Sequence, residues 1–329
     1  MITLGIDTSC DDTSIALVSG HDILCNLVSS HLIHSDYGGV VPEFASRTHT
    51  RLLYPMLRLA VKTTGIPLSK IDLVAATNGP GLLGALLCGL AFAKGIAQGT
   101  GISFRAVNHM EGHIMSLRLS HPSLRPPFLA LLVSGGHTEL ILAEKEFSYI
   151  ELGSTLDDAC GEAIDKVGKL MGLGYPAGPR VEKLALKANI PIKLPRPNPR
   201  DLEFSYSGLK TAARNYLAAH PETPKADVAA GLQEAAFDHL RDRVKRAIQA
   251  YKLTKVGIAG GVARNMTLRR KLKELGKITG FDLYVPRDEL CTDNAAMVAS
   301  AGAARFTKEG ASALDCGAFD RAPLGVRAA

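Results

Sequence analysis

The stretch FLALLVSGGHT, residues Phe128–Thr138, decides the fold because it repeats the plan of the N-terminus. An apolar run leads into a short polar turn, and two further apolar runs follow at Glu139–Ala143 and Ser148–Leu152. The N-terminus has the same order, with apolar runs at Ile2–Ile6, Thr13–Val18 and Ile23–Val28. Short apolar runs separated by polar turns are typical of an antiparallel meander. The sequence therefore predicts a chain of two similar halves.

After each meander the pattern changes to strands that alternate with helices. The first half continues with strands at Ile71–Thr77 and Ser103–Val107 around a helix from Leu82. The second half has a strand at Lys255–Ala259, then a helix from near Val262, a strand at 281–285 and a last helix from Thr292. Alternation of this kind predicts an α/β fold with largely parallel strands covered by helices. We expect an N-terminal lobe of residues 1–126 plus about 294–329, and a C-terminal lobe of residues 127–293.

Composition is that of an ordinary globular protein, and no signal peptide is evident. The longest apolar stretch, 82–93, is shorter than the roughly 20 residues that span a bilayer, so no membrane partner is expected. Six scattered cysteines favour a reducing, cytoplasmic location. The net charge of +6 is concentrated at 241–277 and 183–200, which favours nucleic acid as a partner, although a solvated helix face explains such charges equally well.

The segment NHMEGH, Asn108–His113, carries two histidines four residues apart at the start of a predicted helix. Residues at this spacing share a helix face, so His109 and His113 can hold one divalent metal. Asp293 is the best candidate for a third ligand, although Thr292, Asp293 and Asn294 also look like helix-capping residues.

A metalloprotease is the less favoured interpretation of this segment. Zincins place glutamate directly after the first histidine, whereas Glu111 comes two residues after His109. That spacing rotates Glu111 about 100° further around the helix, away from the metal.

Glycine-rich turns follow two of the predicted strands, at Gly135-Gly136 and Gly260-Gly261. Without Cβ atoms, such turns let backbone N–H groups approach a phosphate. Neither a P-loop nor a strand-borne G-x-G-x-x-G is present, which disfavours those nucleotide folds. Two lobes with opposed turns predict an interlobe nucleotide cleft.

Several motifs together resemble the TsaD family of bacterial tRNA N6-adenosine threonylcarbamoyltransferases, also called the Kae/Qri/TsaD family. The matching segments are Gly5–Thr13, Gly38–Arg47, Asn78–Gly81, His109–His113, Val133–Thr138, Gly260–Asn265 and Thr292–Asn294. The resemblance implies the actin-like, sugar-kinase-like (ASKHA) fold and one metal, iron or alternatively zinc, on His109, His113 and Asp293. Archaeal relatives carry an additional tyrosine ligand where this chain has Leu131-Leu132, which leaves three protein ligands and open positions.

The resemblance also implies a substrate and its binding residues. Threonylcarbamoyl-adenylate would be the donor, so that an ATP/AMP-type nucleotide is part of the substrate. The threonylcarbamoyl group would pass to N6 of adenosine 37 in tRNAs reading codons that begin with A. AMP would be released. Asp11 is the candidate catalytic residue. The implied nucleotide-binding residues are Leu132, Val133, Ser134, Gly135, Gly136, Asp165, Gly178, Glu182 and Asn265.

Implied protein partners are a TsaB-like paralogue and a TsaE-like ATPase. An apolar face on the helix from Pro42 or from Leu82 is the candidate docking surface, although both helices also fit the core. A nucleotide-binding scaffold, whose chemistry resides in a partner, is the alternative to the transferase.

Overall fold

The computed structural model describes residues 1–31, 34–37, 39–196 and 199–328. Gly38, in the predicted family segment 38–47, lies outside the described residues. The strands are β1 Ile2–Asp7, β2 Asp12–Ser19, β3 Asp22–Ser30, β4 Leu73–Gly79, β5 Ser103–Asn108, β6 Phe128–Val133, β7 Thr138–Lys145, β8 Ser148–Ser154, β9 Lys255–Ala259, β10 Asp282–Tyr284 and β11 Val326–Arg327. The helices are α1 His34–Tyr37, α2 Pro42–Thr64, α3 Leu83–Thr100, α4 His109–Ser120, α5 Cys160–Leu170, α6 Gly178–Ala185, α7 Ser207–Ala219, α8 Lys225–Tyr251, α9 Met266–Thr279 and α10 Ala295–Glu309.

The chain forms two compact units. The N-terminal unit comprises Met1–Leu124 and Pro286–Leu324, and the C-terminal unit comprises Arg125–Val285 and Gly325–Ala329. The chain returns to the N-terminal unit at Pro286, earlier than the expected boundary near residue 294, and its last residues belong to the C-terminal unit. Asp293 therefore shares a unit with the two histidines, whereas the sequence-based boundary assigned it to the other lobe.

Each unit is built on the same arrangement of strands. The N-terminal sheet has the order β3-β2-β1-β4-β5, in which β1–β3 form an antiparallel meander and β4 and β5 extend it in parallel. The C-terminal sheet has the order β10-β9-β6-β7-β8-β11, with an antiparallel meander β6–β8 and parallel β9 and β10. The predicted repeat of meander and parallel strands is confirmed.

Helix α10 packs closely on β1 in the N-terminal unit because the facing residues are small. A Cβ atom on Gly5 would overlap the carbonyl oxygen of Ala295, and one on Gly302 would overlap the side chain of Ala75. Close approach of helix and sheet requires glycine at such points. The start of α10 is thereby held over the end of β1, where the first polar turn begins.

Helix α3 is long and apolar enough, by length and composition alone, to cross a membrane. Its small residues Ala85, Gly89 and Ala93 are buried, and the helix lies against β4 and α2. These contacts are those of a helix packed in the core of a unit.

Three helices differ from the sequence-based expectation. Helix α1 was not predicted. Helix α7 was not predicted, since the stretch 207–219 follows a proline-rich segment without a clear start signal. The helix expected from near Val262 is instead a short 3₁₀ turn, Gly261–Arg264, and α9 begins only at Met266, where Asn265 caps it.

Candidate metal centre and glycine-rich turn

Helix α4 presents both motif histidines because its first turn is capped by the residue just before it. The side-chain oxygen of Asn108 accepts hydrogen bonds from the backbone N–H groups of Met110 at 2.9 Å and Glu111 at 3.3 Å. The amide nitrogen of Asn108 donates to the carbonyl of Ala322 at 2.9 Å, which ties this cap to the segment after α10. His109 is therefore the first residue of a fixed helix start.

Asp293 lies opposite the two histidines. Its Oδ1 is 3.1 Å from Nε2 of His113 and 3.4 Å from Nε2 of His109. Potential ligand atoms of the three residues all lie within 4.8 Å of one another. The cap of α10 is Asn294, whose side chain accepts from the N–H of Met297 at 3.0 Å. The capping role and the metal-facing role thus fall on neighbouring residues, which leaves the carboxylate of Asp293 directed at the imidazoles.

Ring nitrogens in this cluster lack hydrogen-bond partners. Among the described residues, Nδ1 of His113, Nδ1 of His109 and Oδ1 of Asp7 are buried without a partner, and Nε2 of His113 lies 3.1 Å from Oδ1 of Asp293 but outside hydrogen-bond geometry. Buried polar atoms are normally paired, and each exception calls for an explanation. Two imidazoles and a carboxylate with unpaired atoms at this spacing are a donor set that suits a divalent metal.

Charges in the cluster oppose the effect of burial. Burial by itself would lower the pKa of His109, but Asp293 and Asp7 hold that pKa well above its usual value. Burial would raise the pKa of Asp293, yet the charge of His109 and its hydrogen bond hold it well below its usual value. The two buried imidazoles and the Asp293 carboxylate, whose side chain is 23% exposed, thus form an arrangement of opposite charges.

Glu111 does not face the metal cluster. Nε of Arg305 on α10 lies 3.0 Å from each carboxylate oxygen of Glu111, and its Nη2 lies 2.9 Å from Oε1. The Glu111 side chain is 3% exposed, so this ion pair fixes it inside the unit. A carboxylate held in this way is not placed to activate a metal-bound water, in agreement with the expected rotation of Glu111 away from the metal, and this disfavours the protease interpretation.

The turn between β1 and β2 adds carboxylates beside the cluster. Oδ2 of Asp7 lies 3.6 Å from Nδ1 of His109. Burial raises the pKa of Asp12 to about 7, a hydrogen bond from Ser30 opposes the rise, and the charges of Asp293, Asp11 and Asp7 add to it. Asp7 and Asp12 were not singled out from the sequence, where they are only part of an acid-rich turn.

The glycine-rich turn of the C-terminal unit connects β6 to β7. Oγ of Ser134 accepts from the backbone N–H groups of Gly136 at 3.3 Å and His137 at 3.1 Å. Gly135 and Gly136 are exposed, and a Cβ atom on either would meet no atom within 4 Å. The turn therefore presents bare backbone to open space. Leu132 and Val133 are buried in β6, so neither residue presents surface to a ligand.

The remaining predicted nucleotide residues of this unit hold its own backbone. Oδ1 of Asp165 accepts from the N–H groups of Ala177 at 2.7 Å and Gly178 at 2.9 Å. Oε1 of Glu182 accepts from the N–H of Met266 at 2.7 Å. The side chain of Asn265 caps α9 and donates to Gln233 at 2.8 Å.

Comparison with solved structures defines the fold class. HypF of T. kodakarensis superposes with a TM-score of 0.65 at 13% identity, covering 94% of this chain and 48% of that protein. Component A of the (R)-2-hydroxyglutaryl-CoA dehydratase of Acidaminococcus fermentans superposes with a TM-score of 0.59 at 14% identity, covering 94% and 99%. At such identities the likeness concerns the fold alone. The chain has the actin-like, sugar-kinase-like fold, which confirms the predicted class.

Comparison of sequences defines the family. The model of the family described as "TsaD: tRNA N6-adenosine threonylcarbamoyltransferase" matches residues 22–300. Proteins of that name are 46% identical over 318 residues in Thermodesulfovibrio yellowstonii, covering 94% of this chain and 95% of the relative, and 45% identical over 352 residues in Bartonella tribocorum, covering 100% and 96%. The chain belongs to this family of transferases.

Proposed function

We propose that this protein transfers the threonylcarbamoyl group of threonylcarbamoyl-adenylate to N6 of adenosine 37 in tRNAs that read codons beginning with A, with release of AMP. The observation that carries the proposal is the convergence of His109, His113 and Asp293, whose ligand atoms lie within 4.8 Å of one another in a chain of this family. In the reaction, the N6 amine attacks the acyl carbonyl, the bond from this carbonyl to the phosphate oxygen breaks, and the amine loses a proton.

Iron, or alternatively zinc, would be held by these three residues, and the unpartnered nitrogens of His113 support that assignment. A bound divalent ion would supply Lewis-acid polarisation of a donor oxygen. Among the described residues the cluster offers three protein ligands, which is typical of catalytic sites that keep positions open. Asp11 is the candidate for orienting the amine. Asp12, with its pKa of about 7, is a second candidate for accepting the proton.

The turn Ser134–Gly136 would receive the phosphate of the donor. Its support is the exposed backbone of Gly135 and Gly136, since N–H groups in such a turn stabilise the negative charge that develops on a leaving phosphate. Asp165, Gly178, Glu182 and Asn265 would shape the ribose and adenine site chiefly by fixing the backbone around α6 and α9, given the hydrogen bonds that occupy them.

Exposed cations support tRNA as the acceptor. Arg264, Lys273 and Lys277 are exposed on or next to α9, and such residues bind phosphate groups of nucleic acid. Recognition of an unpaired loop base would give access to N6, which base pairing would hide.

A TsaB-like paralogue and a TsaE-like ATPase are the proposed protein partners. Exposed apolar side chains on helices α2 and α3 support docking on these helices. On α2, Tyr54 is 60% and Leu59 is 49% exposed, and on α3, Leu83 is 49% and Leu87 is 50% exposed. None of the six cysteines, all of which lie in the described part of the chain, forms a disulfide, in keeping with the proposed cytoplasmic location.

Reconstituted transfer with synthetic donor and tRNA tests the proposal. We expect His109→Ala and Asp293→Ala each to lower kcat at least about 100-fold and to reduce the metal content of the purified protein. A site with three protein ligands that loses one of them binds the metal more weakly and holds it less precisely. His21→Ala and Asp315→Asn change exposed residues of the same types in the same unit and serve as controls.

Two results would contradict the proposal in different ways. Full transfer by both ligand variants would exclude the metal assignment. Nucleotide binding without any transfer by the wild-type protein, when donor, tRNA and metal are all supplied, would favour a scaffold whose chemistry lies in a partner.

A further inference from the structure

The acidic turn after β1 is clamped by two buried histidines from other elements. Nε2 of His49, on α2, donates to the carbonyl oxygen of Cys10 at 3.0 Å. The backbone N–H of His31, just after β3, donates to the carbonyl oxygen of Asp11 at 3.1 Å. The carbonyl groups of Cys10 and Asp11, one on either side of the Asp11 Cα, are therefore both held by hydrogen bonds. The direction of the Asp11 side chain depends on these two bonds, since rotation of either peptide would redirect it.

The two histidines meet on one hydroxyl group. Oγ1 of Thr13 lies 2.8 Å from Nε2 of His31 and 2.8 Å from Nδ1 of His49. Thr13 and His49 are fully buried and His31 is 6% exposed, so water does not compete for these atoms. Thr13 comes one residue after Asp12 on β2, which places the shared hydroxyl at the base of the turn it supports.

Donor and acceptor counting fixes the direction of every bond in this cluster. A carbonyl oxygen only accepts, so Nε2 of His49 carries hydrogen and Nδ1 of the neutral ring accepts. The hydroxyl of Thr13 must then donate its one hydrogen to His49 and accept from Nε2 of His31. Nδ1 of His31 is left as a lone pair, and it has no hydrogen-bond partner among the residues that the structure describes. Both histidines are thus neutral Nε2–H tautomers.

The surroundings favour these neutral forms. Burial lowers the pKa of His31 to about 4, and the neighbouring His49 and His34 lower it further. Burial also lowers the pKa of His49; the carbonyl of Cys10 and the charges of Asp7 and Asp11 oppose that shift, and His34 adds to it. A proton on His49 would reverse its bond to the Thr13 hydroxyl, which would then accept from both rings and leave its own hydrogen without either of these acceptors.

We propose that Thr13 is a positioning residue, whose hydroxyl joins His31 and His49 into a directional hydrogen-bond chain that sets the orientation of Asp11. The inference rests on the proposed function in one respect, because Asp11 matters to transfer only if the turn belongs to the active site. The chain itself is a property of the folded protein and is observable without any reaction.

Two measurements test the proposal separately. In long-range ¹H–¹⁵N spectra of histidine-labelled protein, we expect His31 and His49 to be Nε2–H tautomers at pH 7, and His31 to stay neutral down to about pH 4. In the transfer assay, we expect Thr13→Val to lower kcat about tenfold or more with KM for tRNA changed less than about twofold, because the reacting groups are misdirected while the binding surface is intact. Thr13→Ser, which keeps the hydroxyl, should restore kcat to within about threefold of wild type.

Thr307→Val is the matched control, since the hydroxyl of Thr307 is exposed on α10 and bonds only the carbonyl of Ala303. If Thr13→Val does not fold, the wild-type spectra alone decide: an Nδ1–H tautomer, or titration of His31 near pH 6.5, overturns the chain. If Thr13→Val folds and transfers as fast as wild type while the chain is seen in the spectra, the positioning role is wrong. Absence of transfer by wild type, with the chain observed, contradicts the proposed function and leaves the chain in place.

Discussion

The two units share one strand order, but the turns at the ends of their first strands differ in chemistry. After β1 the turn is rich in carboxylates, buried beside His109 and anchored by histidines from other elements. After β6 the turn is exposed, and Ser134 closes it on itself. Strand order depends on the apolar runs, which both units have. The turns add little to the core, so they are free to carry a charged centre in one unit and bare backbone in the other.

A glycine supports the turn in each unit in the same way. A Cβ atom on Gly81, after β4, would overlap the carbonyl of Ser9, and one on Gly260, after β9, would overlap the carbonyl of Val133. The parallel strand beside the meander thus packs against the first turn in both units. The repeat therefore extends beyond strand order to the packing that holds the turns, and the difference lies in the side chains.

The largest effect is expected from breaking the buried ion pair beside the charged centre. Glu111→Ala would leave the Arg305 guanidinium with Glu309 as its remaining carboxylate partner, so the cost is roughly 3 kcal/mol of unfolding free energy, at the lower end for a broken buried pair. Urea unfolding measures the change through the midpoint at constant slope.

The matched control is Glu274→Ala, which breaks the exposed Arg270–Glu274 pair of the C-terminal unit. Exposed pairs contribute less than about 1 kcal/mol. Equal losses of unfolding free energy in the two variants would show that the Glu111–Arg305 pair stabilises the fold no more than an exposed pair does.

A smaller effect is expected from filling the contact under the glycine-rich turn. Gly260 has a φ of +93° and no room for a Cβ atom, so Gly260→Ala should cost about 2–3 kcal/mol through strain and overlap. Gly135→Ala adds its methyl group to open space and should change the unfolding free energy by less than about 1 kcal/mol. A Gly135→Ala protein as unstable as Gly260→Ala would mean that the turn is packed rather than open.

The smallest effect is the loss of stability that His31 contributes in mild acid, a loss that the raised pKa values of Asp12 and His109 oppose. It is measured as the difference in the pH dependence of Tm between wild type and His31→Gln. The pKa of His31 is about 4 in the folded protein against 6.5 when unfolded, so between these values the unfolded chain binds more protons and stability falls as pH falls. Lowering the pH from 7.5 to 5.5 should cost on the order of 1 kcal/mol from this residue.

His239 in the C-terminal unit has a similarly lowered pKa of about 4, caused first by burial and then by Arg243. Its ring lies edge-on to Phe204 and Tyr206, so His239→Phe should flatten the pH dependence of Tm by a comparable amount. An unchanged slope between pH 7.5 and 5.5 would mean that the pKa of His239 is the same in the folded and unfolded states.

Local pattern was sufficient for the repeat and for most helices. Apolar runs of strand length determine β1–β3 and β6–β8, because burial on a sheet requires such runs wherever they pack. Helix starts were less certain. The expected helix near Val262 begins four residues later, where the Asn265 cap overrides the apolar pattern, and the last helix begins at Ala295 because Asn294 rather than Thr292 caps it.

The sequence by itself determined the repeated fold, the family and the histidine pair, since these depend on neighbours along the chain and on motifs of fixed spacing. Only the tertiary structure decided that Glu111 is held by Arg305, that Asp7 joins His109, and that Thr13 links His31 to His49. Such partners lie far apart in the sequence. Packing of whole helices and strands brings them within hydrogen-bond distance, and no local pattern records which side chains will meet.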